Sequence, residues 1–196
     1  MDRFQILRGE APPPEPPKPV IKYSGNSYRA TEKESHRVGL LCVDSSGSLF
    51  SGVKCHFKEK YFKCKSVTMQ AECCEKLGRP KWRVGSVLVK YNSDKKSKIL
   101  DPYHYEIMPW FFGQLTFGML KIMNDEFPLT KHDLVISCKN DAFQKVDIQP
   151  CEESLWQKFD ELKTEILEAF PPVKEAMLKG LVVDLSDSEM KNLLNG

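Results

Sequence analysis

Four of the seven cysteines, Cys55, Cys64, Cys73 and Cys74, fall within twenty residues, and His56 stands among them. Thiolate and imidazole are the donors that zinc prefers, closed into a tetrahedron where the site is structural. The spacing is His56-x7-Cys64-x8-Cys73, with Cys74 adjacent. At most four of Cys55, His56, Cys64, Cys73 and Cys74 are expected to hold a metal ion. The set consists of Cys64, Cys73, one of Cys55 and His56, and Cys74 as a further candidate. Neighbouring side chains in a strand point to opposite faces, so each adjacent pair would contribute one comfortable ligand. The stretch carries few large aliphatic residues, and a metal would staple a loop with little core of its own. The competing reading is a group of reduced, half-buried thiols.

A second constellation is basic and aromatic: Lys58, Lys60, Tyr61, Phe62, Lys63 and Lys65, then Arg79, Lys81, Trp82 and Arg83, then Lys90 and Tyr91. Cations neutralise phosphates, and planar rings offer any base a stacking surface. On a strand Tyr61 and Lys63 share one face while Phe62 and Cys64 share the other; Lys81 and Arg83 likewise oppose Trp82. A third, aromatic-dense stretch at 102–112 is bounded by Pro102 and Pro109. It is expected either to line a base-stacking groove or to pack the helix against the barrel, with Tyr103 and Tyr105 its more solvent-facing members and the groove candidates. The charge distribution agrees. Residues 51–100 hold 13 Lys and Arg against 4 Asp and Glu, whereas residues 151–196 hold 5 against 10. A basic centre followed by an acidic end predicts a polyanion site with a tail that competes for it.

These residues need elements to position them. With 196 residues, one domain with appendages is expected. Residues 1–35 read as an arm, because six prolines in nine positions at 11–19 exclude helix and central strand. Phe4, Ile6 and Leu7 before the prolines form a short apolar hook suited to self-association. Residues 36–150 are mostly strand: apolar or β-branched runs at 38–43, 49–57, 61–65, 82–91, 133–138 and 146–148, separated by turn clusters. Phe111, Leu115, Gly118, Met119 and Ile122 recur at helical spacing and predict an amphipathic helix over 111–123. Residues 151–180 read as a C-terminal helical segment, one helix over 152–170 ended by Pro171 and Pro172 and a short second one after them, and 181–196 as an acidic tail. The fold class expected is α+β, mainly β: an OB-fold-like five-stranded Greek-key barrel plus a C-terminal helix.

Motifs for phosphate-binding loops, zinc peptidases, nucleophile elbows and dinucleotide folds are absent, and catalysis is not expected. His132-Asp133 reads as a turn that caps its own backbone. No apolar run reaches about 18 residues, so no membrane span is expected. The N-terminus lacks the apolar core of a secretion signal.

The run Tyr61-Phe62-Lys63-Cys64, the segment from Glu72-Cys73-Cys74 through Gly78-Arg79-Pro80-Lys81-Trp82-Arg83-Val84-Gly85, Val89-Lys90-Tyr91, then His132-Asp133-Leu134, Cys138 and Phe143-Gln144-Lys145 resemble single-stranded DNA-binding proteins of tailed bacteriophages. The likeness covers roughly residues 36–150, and Cys-Cys-x3-Gly-x4-Arg is its most specific part. It departs from the zinc-bearing members in having adjacent cysteines in place of a CxxC pair. The resemblance implies an OB-fold module with a zinc loop, a basic aromatic cleft for the strand, and an acidic C-terminus for replication or recombination proteins. The function expected is a non-catalytic coat on single-stranded DNA in phage replication, recombination or repair, in the cytoplasm of the infected host cell. The alternative is a zinc-containing transcription accessory protein that binds RNA polymerase.

Overall fold

The computed structural model describes residues 26–30, 34–66, 71–93, 100–138 and 146–195. The sheet is assembled on β4 (Lys81–Ser93), whose Val84, Val87, Leu88 and Val89 are buried on alternate faces. A strand covered on both sides reads as a nearly continuous apolar run. β5 (Leu100–Gly113) follows one edge of β4 antiparallel, from Gly113 opposite Arg83 to Tyr105 opposite Tyr91. Two strands divide the other edge. β2 (Ser51–Lys58) takes the first part, with Cys55 opposite Lys81, and β1 (Ser35–Leu41) the second, with Leu41 opposite Val87. β3 (Lys60–Lys63) extends β2 through a hairpin at Glu59, while β6 (Leu134–Cys138) and β7 (Val146–Pro150) continue outward from β1.

Among the described residues the class is α+β, with seven antiparallel strands and five helices: α1 (Glu72–Leu77), α2 (Gln114–Glu126), α3 (Leu155–Lys158), α4 (Asp160–Leu181) and α5 (Asp187–Asn195). The expected five-stranded Greek-key barrel is corrected to a seven-stranded sheet that, among the described residues, does not close on itself. Two of the seven strands were not expected as they stand: β5, hidden by Pro102 and Pro109, and the full length of β7. Pro109 is tolerated because its carbonyl faces outward, where it accepts the Tyr28 N–H at 2.7 Å. No ladder bond to β4 is lost there, the placement that sheets reserve for proline.

The two faces of β4 bury different cores. One holds Val38, Leu40, Leu88, Trp110 and Leu134, with Tyr28 from the N-terminal stretch and Leu120 from α2. The other holds Leu41, Val87, Val89 and Ile107 beneath Leu162, Ile166, Val173 and Met177 of α4. α4 lies close because two glycines leave room: a Cβ on Gly85 would meet Met177 Sδ at 2.5 Å, and one on Gly180 would meet Phe111 at 2.8 Å.

The helix predicted over 152–170 is in fact two, broken at the extended backbone of Phe159, and α4 runs on through Pro171 and Pro172 to Leu181. An interior proline costs about 3 kcal/mol. Each of the buried side chains Ile166, Val173 and Met177 contributes about 1.5–3 kcal/mol, and both prolines sit on the exposed face. Tertiary burial therefore overrides the local stop signal. In α2 the predicted stripe exists but faces outward: Leu115, Met119 and Ile122 are exposed, and Leu120 is the residue that seats the helix.

His132 and Asp133 do not cap their own turn as expected: His132 Nδ1 lies 2.9 Å from the Cys151 carbonyl oxygen, and the partners of Asp133 are distant in sequence. Buried Asp133 accepts from Arg37 Nε and from the Leu155 N–H, both at 3.0 Å, and thereby ties β1 and β6 to α3. The proline-rich part of the arm expected over 1–35 lies outside the described residues. No helix among the described residues is long and apolar enough to cross a membrane.

Candidate metal centre and the groove beside it

β2 and β3 cross-pair His56 with Phe62, so both side chains leave the hairpin on the same face. Cys64 follows β3 on that face, and α1 folds over it. The two cysteines of α1 are adjacent, but in a helix successive side chains turn by about 100° rather than 180°. Cys73 and Cys74 therefore both point at the hairpin, which corrects the expectation that only one of them would be a comfortable ligand. The donor atoms of His56, Cys64, Cys73 and Cys74 all lie within 4.8 Å of one another, and all four residues are buried. Cys64 Sγ and His56 Nε2 each stand 3.5 Å from Cys74 Sγ. Two thiolates on one tetrahedral zinc ion would stand about 3.8 Å apart, so the donor set fits a four-coordinate metal in both chemistry and spacing. Cys55, the fifth candidate, is excluded: alternation turns it to the opposite face, where its thiol reaches the Lys81 carbonyl at 3.5 Å.

Burial pushes the Cys74 thiol up to about 11, aided by its hydrogen bond with Cys64, and burial also raises Cys73. Burial lowers the pKa of His56, keeping its imidazole neutral and available as a ligand. Thiols so held must give up protons to bind a metal. Metal uptake should therefore release protons. Affinity should fall by about tenfold or more for each unit of pH lost below neutrality, as a titration with a competing chromophoric chelator would read. Affinity independent of pH would exclude thiolate ligation.

The opposite face of the hairpin forms the wall of a groove of about 450 Å³. Phe57, Tyr61, Lys63, Lys81 and Arg83 share that face by register. Arg83 packs against two rings, its guanidinium carbon 3.8 Å from the Tyr61 centroid and 4.8 Å from that of Phe111. Its Nε is buried without a hydrogen-bond partner, and it makes no ion pair with a carboxylate among the described residues. Burial lowers the Arg83 pKa, opposed by Tyr61 and Cys55 nearby. Packed on these rings, the guanidinium is suited to donate hydrogen bonds to an acceptor in the groove. Trp82, 42% exposed on the other face of β4, has Lys54 Nζ at 5.9 Å from its ring. Tyr61 is also 42% exposed, and its ring packs on that of Phe57.

The structure thus brings together Tyr61, Lys81 and Arg83 at the groove, which Trp82 also lines although its side chain alternates to the other face, with Lys63 on the groove face of the hairpin, Lys58 and Lys60 on the His56 face, and exposed Arg79 just before β4. Other sequence candidates lie elsewhere. Phe62 is fully buried in the cysteine cluster. Tyr91 and Tyr105 are buried under the C-terminal helices, Tyr91 Oη accepting the Trp156 N–H at 2.8 Å. Lys90 is seven residues past Arg83, about 23 Å along the strand. Tyr103 is exposed but packs on Phe159, and Lys65 pairs with Asp187 at 2.7 Å. Sequence reasoning missed Lys54 beside Trp82, Phe57 beside Tyr61, and the 27–29 stretch that completes the groove. Alternation from Cys55 would have placed Phe57 beside Tyr61; Phe111, from the aromatic stretch 102–112, reaches the groove from β5. The described part of the tail is not free but packed on the cysteine cluster through Leu185, Met190 and Leu194. No protein-family model and no curated protein matches this sequence.

Proposed function

We propose that this chain is a non-catalytic single-stranded DNA-binding protein with a structural zinc ion, serving replication or recombination of a phage genome. The observation that carries the reading is Arg83, an arginine without a carboxylate partner among the described residues, packed against Tyr61 and Phe111 in a groove beside exposed Trp82. Its edge suits a phosphodiester, and the exposed rings suit unstacked bases, a pairing that single strands provide and duplexes do not. Zinc bound by His56, Cys64, Cys73 and Cys74 would fix the β2–β3 hairpin that carries Tyr61. The acidic C-terminus is the region offered to partner proteins.

Anisotropy titrations with a labelled oligothymidine, a duplex and an RNA of equal length, repeated over a series of salt concentrations, test this. Single-stranded DNA should bind best, with a steep salt dependence. Replacing Lys63, Lys81 and Arg83 together by alanine should flatten the log–log slope by about 2, each phosphate contact contributing about 0.7. A folded triple variant with unchanged affinity and slope, or a preference for duplex, would overturn the proposal.

A further inference from the structure

The C-terminal segment was expected to compete for the basic groove, yet its contacts go elsewhere. The Val183 N–H donates to the Tyr61 carbonyl at 2.9 Å, and the Lys63 N–H donates to the Val183 carbonyl at 3.1 Å, so residue 183 lies along the open edge of β3. Past this point the chain crosses to the cysteine face. Asp187 pairs with Lys65, and Asn195 accepts a hydrogen bond from Lys76 of α1. Leu185, Met190 and Leu194 close over Phe62, Cys64, Cys73 and Cys74. The elements that receive the segment are thus β3, the residues just after it, and α1, the same ones that supply three of the four metal ligands.

We propose that the metal centre and residues 182–195 hold each other in place, so that loss of the metal releases the segment. This rests on the metal reading above. α1 has six residues, far below the length at which a helix stands alone in water. It is held by the cysteines it sends inward and by the helix that covers it. A metal bridging β2, the end of β3 and α1 fixes the platform on which Met190 and Leu194 sit. Without the metal, three thiols and an imidazole remain under an apolar lid with no ion to tie their elements together. Coupling between two binding events is reciprocal, so the docked segment must in turn strengthen metal binding. Release would expose an acidic amphipathic peptide bearing Asp184, Asp187 and Glu189 between Leu185, Met190 and Leu194, fit for a basic surface with an apolar pocket. It would also unpair Lys65 and free the backbone of Tyr61, the residue that stacks on Arg83 in the groove.

Hydrogen exchange on the full chain, zinc-loaded and chelator-treated, provides the test. The amides of α5 should be protected with zinc and exchange about tenfold or more faster without it, while those of β4 and β5 stay protected. A chain ending at Leu181, and separately the double variant Met190→Ser/Leu194→Ser, should bind zinc about tenfold more weakly in competition with a chromophoric chelator. Zinc uptake with α5 exchange unchanged by chelation, or with undiminished zinc affinity in folded variants, would overturn this inference alone. A chain that takes up no zinc would overturn the metal reading and this inference with it.

Discussion

Arg83→Ala should weaken binding of a single strand by about ten- to a hundredfold, the largest effect of any single change in the groove. Hydrogen bonds to a charged group contribute about 1.5–3 kcal/mol, and the low-dielectric surroundings of Arg83 place it toward the upper end. Contacts with Tyr61 and Phe111 restrict the guanidinium, so less rotamer freedom remains to be lost on binding. Arg83→Lys should recover little, because an ammonium offers no planar edge for two parallel hydrogen bonds. Lys81→Ala, which removes an exposed side chain, should cost only about two- to threefold, most of it vanishing at high salt. Anisotropy at two salt concentrations separates these cases. A folded Arg83→Ala protein that binds like the parent would show that this arginine is only a packing element.

Cys64→Ser should abolish stable zinc binding and disorder the residues around α1 while the main sheet stays folded. Apparent binding free energies of structural zinc in small peptides run about 10–16 kcal/mol, and a part of that holds this module together. The two large cores contain none of the four ligands, so they have no reason to melt with it. Elemental analysis should find about one zinc per parent chain and none in the variant. Protease cleavage should then appear near residues 64–77 with β4 and β5 left intact. Zinc retained at full stoichiometry would show that Cys64 is not a ligand, and global unfolding would show that the module is not separable from the sheet.

Local pattern made several features legible before any fold was known. Alternation alone placed Tyr61 and Lys63 opposite Phe62 and Cys64, and Arg83 opposite Trp82, because a strand has a period of two wherever it sits. The crowding of cysteines beside His56 marked the metal candidates for the same reason: ligand chemistry is a property of residue types. What one chain segment cannot know is who its neighbours are. Whether Cys73 and Cys74 could both turn inward depended on α1 being helix, not strand, and α1 is held by a tail more than a hundred residues later. Pro102 and Pro109 concealed β5, since a proline's cost depends on whether its missing N–H faces a partner strand or an outer edge.

Pro171 and Pro172 failed to stop α4 because the buried side chains on its other face outweigh the break. The rings divide along the same line. Tyr91, Tyr105 and Trp82 look alike as aromatic residues in or near strands, yet the first two lie beneath the C-terminal helices and Trp82 does not. Sequence by itself determined the pool of donors, the basic hairpin and the alternation that puts Tyr61 and Lys63 on the face opposite Phe62 and Cys64. Only the tertiary structure decided that Arg83 packs against a ring from β5 and that the acidic end covers the cysteines instead of the groove. Both depend on long-range packing, in which buried area, not local propensity, selects the partner.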